Sequence, residues 1–411
     1  MNKQLLLEKL AKLAVNVGIN IQKGQPLVIN APIAAQELVR LTVHEAYLAG
    51  SGKVFVNWSD DQISKDTYQF LSVEQLSEVP DFVVDRLRYF IDNKAAFLSI
   101  ISPNPYAFQG VDPKKIAFSS KAMHEKTSFY SDAISASRHQ WSIIAYPNEV
   151  WCKKVFPNDE LEVAYDKLFE AIMKTSRISE NNDPVEDWDL HIKELEKHFK
   201  LLNEYNFKSL HFKNSLGTDL KVDLIKDHIW AGGAEATPEG VIFVPNIPTE
   251  EVFTMPDKYG VNGKVVSTKP LLYQGVLIED FWFEFKDGKV IDFNASSGYE
   301  TLKLLVEADE GSSRLGEVAL ISHNSPISNL NILFCNTLFD ENASCHLALG
   351  NAYSMNLKNG TTMSEEEYKA TNANISMKHV DFMFGSSDME IIGTTYDGKE
   401  IQVFRKGNFV I

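Results

Sequence analysis

Apolar residues recur at helical spacing through Leu6, Leu10, Leu13 and Val17, with Lys3, Lys9 and Lys12 between them, so the chain begins with an amphipathic helix. Beyond it, short β-branched runs alternate with helical ones. Strands are predicted at residues 26–30 and 53–58 with a helix over 33–48 between them, and further buried strands at 96–101 and 141–146. Such alternation implies an α/β domain with a mostly parallel sheet. Two long polar helices follow, over roughly residues 159–177 and 184–204, separated by SENNDP, which carries helix-stop and helix-start chemistry. After that break the texture changes to short alternating strands with glycine-centred turns, as in SLHFKNSLGTDLKVDLI and GVIFVPNIP. FEFKDGKVIDF reads as a hairpin, because Asp287 and Gly288 tolerate the positive φ of a tight turn. We therefore expect residues 1–182 to form an N-terminal α/β domain and residues 183–411 a C-terminal α+β domain with mainly antiparallel strands.

A length of 411 residues agrees with two or three domains at roughly 100–200 residues each. With 44% hydrophobic and 23% charged residues the chain can bury a sizeable core, which argues against extended disorder. The opening helix lacks the apolar centre of a signal peptide, and no run of about 18 apolar residues occurs, so a membrane span is excluded and a cytoplasmic location expected. Cys152, Cys335 and Cys345 are too few and too scattered for a disulfide framework or a thiolate zinc site, which leaves oxygen and nitrogen ligands for any metal. A net charge of −16 repels phosphate backbones and argues against nucleic acid as a partner.

Single-segment catalytic motifs are absent: there is no HExxH, no GxSxG and no GxGxxG after a strand, and Gly50-Ser51-Gly52-Lys53 is followed by Val54 where a phosphate loop needs Ser or Thr. Four segments carry usable chemistry instead. Side chains two apart on a strand share a face, so a strand around residue 380 delivers His379 and Asp381 together, a pair suited to zinc, cobalt or manganese but equally to a surface hydrogen bond. In LFDENASCHLALGNAY a helix from Asn342 would put His346 and Tyr353 on one stripe, with Glu341 acting from the preceding turn. RLGEVALI sets Glu317 at the start of an apolar strand, where an acid must be exposed, paired or bound to a cation. NIPTEEVFT offers Glu250 and Glu251, of which at most one can face a metal. Cys345 beside His346 reads as a small buried hydrophobe, and His44, His124, His139 and His323 as structural or surface residues.

Together, NIPTEEVFT, RLGEVALI, LFDENASCHLALGNAY and HVDFMFGS, with EKLAKLAVNVGINIQKGQPLVI and WSIIAYPN near the N-terminus, resemble the M29 metallo-aminopeptidases, the group of aminopeptidases T, S and II, over nearly the whole chain. The resemblance implies two divalent ions per subunit (zinc, cobalt or manganese) held by Glu251, Glu317, Glu341, His346, His379 and Asp381, and Tyr353 in the active site. It selects Glu251 over Glu250. On physical grounds such a centre would activate a hydroxide to remove N-terminal residues from short peptides, with Glu317 the candidate to bridge the ions. A homodimer whose N-terminal domains enclose the active sites is implied as well. Two other readings are open at this point: a metal-dependent amidohydrolase acting on a non-peptide amide, and a non-catalytic ligand-binding protein.

Overall fold

In the computed structural model, which describes residues 1–411, the strands β1 (Leu27–Pro32), β2 (Val54–Ser59), β3 (Ala96–Ile101) and β4 (Trp141–Ala145) lie in the order β2-β1-β3-β4, every pair parallel. The inner strands β1 and β3 are buried along most of their length, the mark of strands covered on both faces. The opening helix runs over Lys3–Leu13 and widens into a π-turn at Ala14–Gly18. Helices Asp61–Phe70, Asp81–Asp92 and Pro113–Ser135 occupy a stretch where the apolar pattern predicts no element. There Ile63, Phe70 and Phe82 stay exposed while Phe90 is buried, so the large apolar residues do not all fall on one buried face.

The chain divides into two compact units, one of Met1–Leu190 with Ala234–Pro248 and one of His191–Gly233 with Thr249–Ile411. This differs from the expected division after residue 182 in two ways. The first unit runs on into the helix Pro184–Tyr205, because Trp188 is fully buried and donates its indole N–H to the Ser176 carbonyl. It also recovers the segment around the proline-rich NIPTE. There Ile143 of β4 donates its N–H to Pro245 and accepts from Ile247, extending the parallel sheet by one bridge. Prolines make such a segment read as a loop.

The second unit is built on two antiparallel sheets. The smaller contains β5 (Ala231–Gly232), β6 (Val252–Thr254), β7 (Leu315–Leu320), β8 (His346–Gly350) and β9 (His379–Met383), in the order β9-β8-β7-β6-β5. The larger has eight strands between residues 207 and 409 and includes the expected hairpin, in which Asp287 and Gly288 have φ of 49° and 77°. Val252, Val318, Leu320, Leu347, Leu349 and Phe382 of the smaller sheet share one apolar core with Phe207, Phe212, Val222, Phe283, Ile391 and Phe404. That core uses one face of the five-stranded sheet.

Residues 342–353 are not the helix expected. A four-residue helix at Thr337–Asp340 passes into a 3-10 turn at Glu341–Ala343, Ser344 is fully extended, and residues 346–350 form β8. The run CHLALG is apolar enough for either state, and pairing on both edges decides for the strand. Gly350 closes that strand at φ +110°, where a Cβ would stand 2.1 Å from the Lys378 carbonyl oxygen.

Candidate metal centre

Directly paired residues in a sheet point to the same face, so the register of β7, β8 and β9 states which side chains meet. Glu317 pairs with Ala348 and Ala348 with Asp381, while Gly350 pairs with His379 and Ala319 with His346. Glu317, His346, His379 and Asp381 therefore project from the face opposite the apolar core. Glu251 joins them, because it stands two residues before Phe253, which pairs with Ala319 on that same face. Ala348 lies between Glu317 and Asp381, and its single methyl leaves the space between the carboxylates open. Glu341 comes from the 3-10 turn instead of the sheet.

Ligand atoms of Glu251, Glu317 and His346 lie within 4.8 Å of one another, as do those of Glu317, His379 and Asp381. Glu317 belongs to both groups. Its Oε1 is 3.4 Å from His346 Nε2 and its Oε2 is 3.4 Å from His379 Nε2. His346 Nε2 also stands 3.2 Å from Glu251, and His379 Nε2 3.3 Å from Asp381. The His379 ring is oriented from behind, with Nδ1 2.7 Å from the Asn351 carbonyl, which assigns a proton to Nδ1 and turns Nε2 toward the carboxylates. Glu250 takes no part in either group: its carboxylate is 3.8 Å from His191, and its N–H donates to the buried amide of Asn342.

Electrostatically the cluster is unbalanced. Burial, then the charges of Asp381 and Glu251, push the Glu341 carboxyl well above its usual range, and burial raises Glu251. Glu317 is desolvated too, yet hydrogen bonds from His346 and His379 hold it down at about 2. Both imidazoles rise in spite of burial, His379 to about 11 through Asp381 and Glu317, and His346 through Glu251 and Glu317. Four carboxylates thus share two imidazolium charges. The buried Asp381 Oδ1 has no aligned donor. Two divalent cations would cancel the four carboxylate charges and let both imidazoles bind through neutral nitrogen, so the residues present fit a two-ion centre.

Tyr353 leaves the sheet after β8, its ring 4.5 Å from that of His379 and 6.4 Å from that of Phe253. Although 43% of the residue remains exposed, loss of water around the phenol and then the negative field of Glu317 and Asp381 raise its pKa, so it stays protonated. Cys345, one residue from His346, faces the core side, bonds to Ile321, and has its thiol pushed up to about 11 by burial.

Several positioning residues escape motif reading. Asn374, almost fully buried, donates to the carbonyls of Gly311 and Gly350, and Asp309 accepts from Ser376 Oγ and the Met377 N–H just ahead of His379. Asn342 ties the Glu250 N–H to the Leu338 carbonyl. Their only sequence signal is a polar residue in an apolar setting, which many surface loops share.

The profile of the family described as thermophilic metalloprotease (M29) matches residues 3–409. Aminopeptidase 2 of Geobacillus stearothermophilus is 47% identical over 98% of this chain and 97% of its own length, and aminopeptidase AmpS of Bacillus subtilis is 45% identical over 97% of each. The solved structure of wild-type AmpT from Thermus thermophilus superposes with a TM-score of 0.90 at 36% identity and covers 99% of both chains.

The imbalance has a measurable consequence. In the metal-free chain the two imidazolium charges favour the folded state below pH 6.5, and the His379 contribution is lost as pH rises through about 11. Metal binding requires neutral rings, so loading zinc at pH 7 is expected to release at least about two protons per chain. Calorimetric titration in buffers of different ionisation enthalpy checks this, and uptake of zinc without proton release would contradict it.

Proposed function

The chain belongs to the M29 family of metalloproteases, and within it we propose that this protein is an aminopeptidase that removes N-terminal residues from short peptides. The observation that carries the reading is Glu317, whose two oxygens face two separate ligand groups on one sheet face. Glu251 and His346 would hold one ion and His379 and Asp381 the other, with Glu317 spanning both and Glu341 completing the set. When bound, two divalent ions lower the pKa of a water towards neutral pH, polarise the peptide carbonyl and offer a site for the free α-amine.

The protein's own residues then have defined tasks. Glu317 would hold two cations together against their repulsion. The Asn351 carbonyl, through Nδ1 of His379, holds the ring so that Nε2 is the nitrogen that would bind an ion. Tyr353, protonated and beside His379, can donate a hydrogen bond to the negative oxygen that develops on the carbonyl carbon. Selection for a free N-terminus follows from amine contact at the centre. Zinc, cobalt and manganese all suit a mixed carboxylate and imidazole set.

We further propose that the protein is a cytoplasmic homodimer in which the N-terminal units enclose the active sites, limiting substrates to short peptides. Support comes from Ile63, Phe70 and Phe82, large apolar side chains on the first unit that the single chain leaves uncovered. No helix is long and apolar enough to cross a membrane.

Glu317→Gln and His379→Ala are expected to abolish release of leucine from Leu-Ala-Ala and to lower bound metal below two ions per chain, while the thermal transition stays cooperative. Tyr353→Phe should keep both ions and lose about 10²–10³-fold in kcat, the cost of one oxyanion donor. Full activity in Glu317→Gln would sink the assignment. Sedimentation should give a dimer that Phe70→Glu with Phe82→Glu converts to monomer, and a monomeric parent chain would end the dimer proposal.

A further inference from the structure

A cavity of about 170 Å³ opens at Glu341 and Asp381. That is smaller than the roughly 300–1,000 Å³ of pockets that take a whole small molecule, and suits a single side chain. One wall is apolar: Leu271 and Leu272 lie on a two-stranded hairpin over residues 271–278, and Met383 lies two residues beyond Asp381 on β9 and so on the same face. Thr337, exposed at the first turn of its short helix, also lines the cavity. A third carboxylate, Asp340, also borders the cavity, but its two oxygens accept the N–H groups of Phe334 (2.7 Å) and Asn336 (2.9 Å). It is committed to its own loop and to the neighbouring Lys269. Tyr353 does not line this cavity.

We propose that this cavity receives the side chain of the substrate's N-terminal residue and selects neutral side chains of the size of leucine, methionine or phenylalanine over alanine and over acidic residues. The inference rests on the aminopeptidase reading. In that reading the α-amine is held at the centre, and the side chain one carbon away enters the space that opens beside Glu341 and Asp381. Apolar contact with Leu271, Leu272 and Met383 rewards a large neutral group. An acidic one would be desolvated beside Glu341 and Asp381, while the neighbouring Lys269 already faces Asp340 and the ions would already be neutralised by their own carboxylates.

The test uses metal-loaded full-length protein and two tripeptide series, X-Ala-Ala and Ala-X-Ala, with X as Leu, Phe, Ala or Glu. In the first series kcat/KM for Leu and Phe should exceed that for Ala by roughly 10–200-fold, with Glu lowest. Leu272→Trp and Thr337→Trp fill the cavity from two different elements, and the exposed Thr337 tolerates a larger side chain should the hairpin not. Each should reduce the Leu to Ala ratio at least about tenfold whatever happens to the absolute rates. An unchanged ratio in both variants would overturn the proposal, as would a change confined to the Ala-X-Ala series, which would assign the cavity to the residue after the scissile bond. If the parent chain holds two ions yet cleaves no peptide in either series, the aminopeptidase reading fails and this one with it.

A binding readout stands apart from turnover. Cys335 lines the cavity and is partly exposed, whereas Cys152 and Cys345 are buried. L-leucine should slow iodoacetamide labelling of Cys335, followed by mass spectrometry, at least about fivefold, while L-glutamate should not. Equal labelling with either amino acid counts against the pocket.

Discussion

Four carboxylates gathered on one face of a five-stranded sheet, largely out of reach of water, set the terms for everything around them. Glu251, Glu317, Glu341 and Asp381 have only His346 and His379 as counter-charges, and the crowding pushes the Glu341 carboxyl and both imidazoles well above their usual ranges. A fold that maintains such an arrangement gives up stability in the metal-free state. It recovers that stability when the positive charge comes from bound cations, which couples metal binding to folding. The same crowding keeps the Tyr353 phenol protonated and available as a donor.

The sheet makes this possible through its two-sidedness. In β7, β8 and β9 alternate residues go to a core shared with the larger sheet, so Val318, Leu347 and Phe382 pin the strands while Glu317, His346 and Asp381 are held on the other side. Register does the rest. Ala348 separates Glu317 from Asp381 with a methyl group, and Asn374 and Asp309 fix the approach to His379 by backbone hydrogen bonds. A one-residue slip of β9 would turn His379 and Asp381 into the core.

Much of this was legible in the chain. The parallel first sheet, the antiparallel second part and the Asp287-Gly288 hairpin follow from periodicity and turn chemistry, and the His379–Asp381 pairing from strand alternation. What failed has physical causes. The apolar run at 345–349 suits helix or strand alike, so the helix expected from Asn342 turned out to be β8, decided by neighbours distant in sequence. The return of Ala234–Pro248 to the first unit depends on a long-range bridge to Ile143, which no local pattern encodes. Each of the four acid and histidine segments is ambiguous alone. Their convergence becomes physical only in the sheet register, and the double-faced position of Glu317 has no trace in RLGEVALI itself.

The central claim is that one carboxylate, Glu317, joins two cation sites. Crystals of the zinc-loaded protein measured at the zinc absorption edge test it directly through anomalous scattering. The account predicts two peaks about 3.5–4 Å apart, one beside Glu251 and His346, the other beside His379 and Asp381, with one oxygen of Glu317 on each. A single peak, or two peaks with Glu317 touching neither or only one, would contradict it.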